Sequence, residues 1–188
     1  MENKKIKLFW GSETGTTDGI SEMIVERIST QFEIEEINML NASQEMFEDS
    51  NHFLFGLSTW YDGQLQSDWD YFFDEFCKLD FTNKTVAIFG LGDQYGYDQY
   101  YCDGIGILGE QVIKAGGNLI GWWSTEGYDF SASIAELKDG WFCGLALDED
   151  NQSDLTEERI DKWTKQISNE FNKSFEEKHD KVVITTDL

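Results

Sequence analysis

Short apolar, β-prone runs recur along the chain with amphipathic stretches between them. The runs are Ile6 to Trp10, Glu33 to Met39, His52 to Ser58, Thr85 to Gly90 and Leu119 to Trp123, each of strand length. Between them, Ser21 to Phe32, Asp68 to Leu79 and Gly104 to Ala115 place apolar residues at intervals of three and four, the period of a helix with one face on a sheet. This alternation is that of βαβ units and predicts an α/β domain, a parallel five-stranded, doubly wound sheet with helices on both faces. A last helix is expected from Asp154 or Thr156, ahead of Glu157 and Glu158, with Ile160, Trp163, Ile167 and Phe171 on its buried side. About thirty residues, Ser124 to Ser153, separate it from the fifth strand, more than such a connection needs, so an insertion with structure of its own is expected.

No proline, internal repeat or low-complexity tract marks a linker, and 188 residues suit a single buried core. One domain is therefore expected over residues 1–171. Lys173 to Leu188 is charged up to Val182-Val183-Ile184-Thr185-Thr186; it is read as a loose tail in preference to an edge strand or a packed segment. The apolar run Ile6 to Trp10 is too short for a signal-peptide core or a membrane span.

Charge narrows the partners. There are 37 Asp and Glu against 14 Lys and Arg, a net charge of −23, so nucleic acid and anionic lipid are repelled and basic protein surfaces attracted. Cys77, Cys102 and Cys143 form no C-x-x-C pair, and their odd number argues against a disulfide framework. The expectation is a reducing, cytoplasmic setting. His52 and His179 lack metal-ligand spacing, and the pair Asp148 and Asp150 reads as a solvated acidic loop rather than acid–base machinery.

The chemistry lies in the loops. Directly after the first strand come Gly11-Ser12-Glu13-Thr14-Gly15-Thr16-Thr17 and a helix opening near Asp18. Small residues let the backbone curl, four hydroxyls donate, and the free N–H groups of a helix start face one anion, which describes a monophosphate cradle. The Gly-Lys-Ser/Thr ending of a nucleoside-triphosphate loop is missing, and so is G-x-G-x-x-G. An ordinary capped turn remains open on this segment alone. Two further loops leave the same sheet edge, where ligands of doubly wound folds bind: Ser58-Thr59-Trp60-Tyr61-Asp62-Gly63-Gln64-Leu65 and Gly90-Leu91-Gly92-Asp93-Gln94-Tyr95-Gly96-Tyr97. A flat heteroaromatic ring needs stacking on its faces, and Trp60 and Tyr97 would supply both. A phosphate-accepting signalling domain of the same topology would need an acidic cluster after the first strand and a lysine after the fifth, where Gly11-Ser12 and Ser124-Thr125 stand.

These motifs, with Gly127-Tyr128-Asp129-Phe130 and the stretch Gly144 to Thr156, closely resemble the flavodoxins, in particular the long-chain class of cyanobacterial type. The resemblance spans about Lys5 to Phe171. It implies strand order 2-1-3-4-5, a fifth strand interrupted by the insertion from Ser124 to Asp148, and one non-covalently held FMN. By the same resemblance Ser12, Thr14, Gly15, Thr16 and Thr17 would hold the phosphate, with Glu13 of the same loop among the cofactor-binding residues. Trp60 and Tyr97 would stack on the isoalloxazine, Thr59, Leu91 and Gly92 would line the pocket, Asp93 would face the pyrimidine edge through its backbone, and Asp150 would approach the ribityl side. Next to Gly63, the Tyr61–Asp62 peptide is expected to turn its carbonyl toward flavin N5 on one-electron reduction. The implied role is that of a monomeric, low-potential, one-electron carrier, with ferredoxin–NADP reductase and photosystem I as candidate partners. An FMN-dependent NAD(P)H:quinone oxidoreductase on the same fold is the alternative. Ser58 stands where such proteins commonly have proline, Tyr100 and Cys102 where they often have Asn and Gln, and the chain continues past the usual end at Asn172.

Overall fold

The computed structural model describes residues 4–186. Its core is one parallel sheet of β1 (Lys5–Trp10), β2 (Glu33–Asn38), β3 (His52–Trp60), β5 (Thr85–Leu91) and a fifth position shared by β6 (Asn118–Ile120) and β9 (Leu145–Leu147), in the order β2-β1-β3-β5-β6. A short strand β4 (Gln64–Leu65) folds back antiparallel on the end of β3. With that hairpin set aside, the order is the expected 2-1-3-4-5. Helices α2 (Ser67–Phe76) and α3 (Asp103–Lys114) cover one face, and α1 (Thr16–Ile28) and α4 (Thr156–Thr186) the other.

Alternation along the strands sorts the core. Phe53, Phe55 and Leu57 of β3 join Phe9, Phe47, Trp69, Phe76 and Phe81 in a largely aromatic cluster under α2 and α3. Leu54 faces the other way, with Ile6, Leu8, Ala87 and Phe89, against Ile20 and Ile24 of α1 and Ile160, Trp163 and Ile167 of α4. Lys7, in the middle of β1, is buried too; its ammonium donates to the Met46 carbonyl at 3.0 Å and pairs with Asp49, the pairing a buried charge requires.

The fifth strand departs from its expected extent. It leaves the sheet after Ile120, because Gly121 takes φ +76° and turns the chain outward. Trp123–Ser124 (β7) then pairs antiparallel with Trp141–Phe142 (β8), and the chain re-enters the same edge as β9. The insertion thus runs from Gly121 to Gly144 rather than from Ser124 to Asp148, and Leu145–Leu147, expected inside it, belongs to the sheet. The insertion lies on α3, where Gly106 and Gly109 make room: a Cβ on Gly106 would stand 2.5 Å from the Ile134 backbone, and one on Gly109 2.6 Å from Cys143 Sγ.

The last helix is the larger correction. It begins at Thr156 as expected, after a 3-10 turn, but runs on to Thr186 where a loose tail was expected. No Gly or Pro interrupts residues 156–186, and their Lys, Glu and Gln favour helix. Phe175 continues the apolar stripe one turn beyond Phe171, stacking on His52 at 3.6 Å between ring centroids and on Phe32 at 6.1 Å. Ser174 adds a hydrogen bond with Thr85 (2.7 Å). His179 lies among the residues whose side chains are not described. Among the described residues no helix is long and apolar enough to cross a membrane.

Candidate functional site

The loops after β1, β3, β5 and β9 meet at the carboxyl edge of the sheet around a cleft of about 340 Å³, within the usual range for a small-ligand site. Its wall is built from Thr14, Thr16 and Thr17 of the first loop, Ser58 to Tyr61 of the second, Leu91 to Asp93 with Tyr97 and Tyr100 of the third, and Glu149 and Asp150 of the fourth.

The first loop ends in a helix start that faces the cleft. Gly15 precedes α1 with φ +88°, and the Ser12 hydroxyl accepts from Gly15 N at 3.0 Å, so one of the hydroxyls expected at the anion closes the turn instead. Thr14 and Thr16 hydroxyls lie 3.1 Å apart. Glu13 points away, its carboxylate accepting from Ser67 N at the start of α2 (3.1 Å), a favourable place for a negative charge.

In the second loop the β3–β4 turn places Tyr61 at φ 44° and Gly63 at φ 84°. A Cβ on Gly63 would come within 2.6 Å of Asp103 Oδ2, so glycine is required there for both reasons. Trp60 Nε1 donates to Ser58 Oγ at 2.8 Å, and the Thr59 hydroxyl accepts from Gly104 N at 3.0 Å, tying the strand end to the start of α3. Asp103, nearly buried, accepts from Ile134 N at 2.9 Å; burial raises its carboxyl pKa more than that bond lowers it.

The third and fourth loops are tied by a carboxylate network. Asp93 Oδ1 accepts from Gly96 N (2.7 Å), Tyr95 N (3.0 Å) and Asn151 Nδ2 (2.8 Å). Against the opposing effect of burial, these bonds hold its pKa below the ordinary value. Asp148, expected in a solvated acidic loop, is fully buried. It accepts from Gln94 Nε2 at 2.7 Å, from Gln94 N at 3.1 Å and from Asn151 N at 3.0 Å. Gln94 passes the link onward, its Oε1 accepting from Asp129 N of the insertion at 2.7 Å. Beside it, burial raises the Cys102 thiol pKa, so this cysteine is an inert packing group.

A family model described as Flavodoxin matches residues 8–163. The chain belongs to the flavodoxin family. A flavodoxin of Haemophilus influenzae is 45% identical over 166 residues, 88% of this chain and 95% of that one. A flavodoxin of Nostoc sp. is 45% identical over 172 residues, 90% and 98% of the two chains. The crystal structure of Fusobacterium nucleatum flavodoxin bound to flavin mononucleotide superposes with a TM-score of 0.84 at 33% identity, over 89% of this chain and 99% of that one.

Of the residues that flavodoxin resemblance singled out, Thr14, Thr16, Thr17, Thr59, Trp60, Tyr61, Leu91, Gly92, Asp93, Tyr97 and Asp150 line the cleft, whereas Ser12, Glu13, Gly15, Asp62 and Gly63 do not. Ser12, Glu13 and Gly63 instead shape the loops behind it. Ser58, Tyr100 and Glu149 line it unanticipated. Ser58 sits next to Thr59 in sequence, and alternation alone places it on the Trp60 side of the strand; Glu149 immediately precedes Asp150.

Proposed function

We propose that this cleft binds FMN non-covalently and that the chain carries single electrons between redox proteins. The observation that carries the reading is the convergence of a hydroxyl-lined helix start with Trp60 and Tyr97 on opposed loops, in a cleft whose described lining contains no Lys or Arg. Neutral donors of this kind suit a single phosphate, and two aromatics suit a flat ring between them. Thr14, Thr16 and Thr17 would hold the phosphate, helped by the free N–H groups of α1. Trp60 and Tyr97 would cover the ring and exclude water, and Leu91 to Asp93 would face its polar edge.

FMN, when bound, supplies the one-electron chemistry, and the chain supplies position and field. Asp93, Glu149 and Asp150 border the cleft, and a carboxylate at roughly 15 Å and an effective dielectric of about 40 opposes added negative charge by about 0.5 kcal/mol, on the order of 20 mV. Several of them make a low-potential carrier. The Tyr61–Asp62 peptide, in the tight turn ahead of Gly63, would reorient its carbonyl toward flavin N5 on reduction. Crystals of the oxidised and one-electron-reduced protein test this directly; an unchanged peptide in both ends the idea.

Charge of −23 favours basic partners, with ferredoxin–NADP reductase as acceptor, photosystem I or another low-potential protein as donor, and the cytoplasm as the setting. The NAD(P)H:quinone oxidoreductase reading is not favoured, since the relatives it matches are flavodoxins. Purification followed by a visible spectrum and FMN titration tests the proposal: a yellow protein binding one FMN is expected, and a folded, colourless protein that does not take up added FMN overturns it.

A further inference from the structure

The hydrogen bond from Trp60 Nε1 to Ser58 Oγ, 2.8 Å long, joins two residues that both line the cleft. Ser58 belongs to the sheet itself, in register with Leu91 of β5, whereas Trp60 ends β3 immediately before the Tyr61 turn. In a strand, residues two apart project from the same face, so the indole can lean back over Ser58 and present its N–H. The strand end between them is itself clamped, since the Thr59 hydroxyl accepts from Gly104 N at 3.0 Å. Tyr61, the next ring along, is tilted 53° to the indole with centroids 6.1 Å apart, an inclined contact and not a hydrogen bond to the N–H. Among the described residues the serine hydroxyl is therefore the polar anchor that sets the indole plane.

We propose that Ser58 is a positioning residue for the stacking indole: by accepting the Trp60 N–H it holds the ring in its stacking orientation before the cofactor arrives. This rests on the reading of the cleft as an FMN site. The physical basis is preorganisation. An aromatic side chain at a strand end has two rotatable bonds, and freezing them on ligand stacking costs affinity unless the ring is already held. The bond also consumes the indole's single donor, so Trp60 meets its ligand through its face and not through its N–H.

The test is a double-mutant cycle of Ser58→Ala and Trp60→Phe with two readouts, the Trp60 indole N–H resonance in the FMN-free protein and the FMN dissociation constant. Ser58→Ala is expected to shift that resonance, assigned by its loss in Trp60→Phe, and to weaken FMN binding about three- to tenfold, the worth of one such bond. Ser58→Thr, which keeps the acceptor, is expected to restore both. In the Trp60→Phe background, where there is no N–H to hold, Ser58→Ala is expected to change affinity less than twofold. An unmoved indole resonance in Ser58→Ala overturns the proposal without touching the FMN reading. An undiminished Ser58→Ala effect in Trp60→Phe also overturns it, since the hydroxyl would then act on the ligand directly. A parent protein that binds no FMN ends the cofactor reading, while the resonance still reports whether the Ser58–Trp60 bond exists.

Discussion

Asp148 holds the third and fourth cleft loops together from a fully buried position, accepting from Gln94 and Asn151. Asp148→Ala is expected to leave those donors without partners and to lower stability by about 3 kcal/mol, read from urea midpoints, with a parallel loss of FMN affinity because Asn151, which also donates to Asp93, loses its anchor. Nothing in the residues around Asp148 announces this, since its main partner lies 54 positions away and an acidic run without that partner looks solvated. Asp103 behaves oppositely to a paired carboxylate. Burial raises its pKa above 3.8, so folding favours the protonated form and the stability tied to it is lost as pH rises through and above that value. Asp103→Asn keeps an acceptor for Ile134 N and removes the charge. It is expected to be more stable than the parent at pH 7, with the advantage shrinking toward pH 4, measured as urea midpoints across that range. That Trp60, Tyr97, Thr14, Thr16 and Thr17 line one cleft was legible because their chemistry is carried by residue type within short loops. The separate duties of Ser12 and Glu13 were not, because loop curvature decides which side chains in a cradle point inward.

At the scale of elements, hydrophobic period located β1, β2, β3, β5, β6 and the four helices but not the short strands β4 and β9, and two of the misjudged boundaries have local causes: a positive-φ glycine at 121 and the absence of any helix breaker after 156. The extended α4 anchors the edge of the sheet farthest from the cleft. His52, under Phe175, opens β3, and Trp60 closes it, roughly 26 Å away at the rise of a strand. Phe175→Ala is therefore expected to cost about 1–2 kcal/mol in denaturation, less than a fully buried ring, and to leave the FMN dissociation constant unchanged. Ending the chain after Asn172 should reproduce at least that loss. A change in FMN binding in either variant would show that the two ends of the sheet communicate.

For the molecule as a whole, a charge of −23 predicts that electron transfer to a basic partner slows steeply as ionic strength rises, measured by stopped-flow between low salt and about 0.3 M, where screening is strong. A flat salt profile would mean that docking does not depend on that field. The doubly wound architecture was readable because alternation of strand and helix constrains topology tightly. How an insertion could interrupt a strand without spoiling it was not, yet the register explains it. Ile120 stands opposite Ala87 and Leu145 opposite Phe89, so one missing rung, opposite Ile88, separates the halves. Joined through Gly121 alone, with residues 122–144 excised, the two fragments would fall into a single continuous ribbon with its inward and outward faces still in phase. The excursion is in that sense a detachable graft, and the sheet beneath it carries a ready-made seam along which it can be cut away.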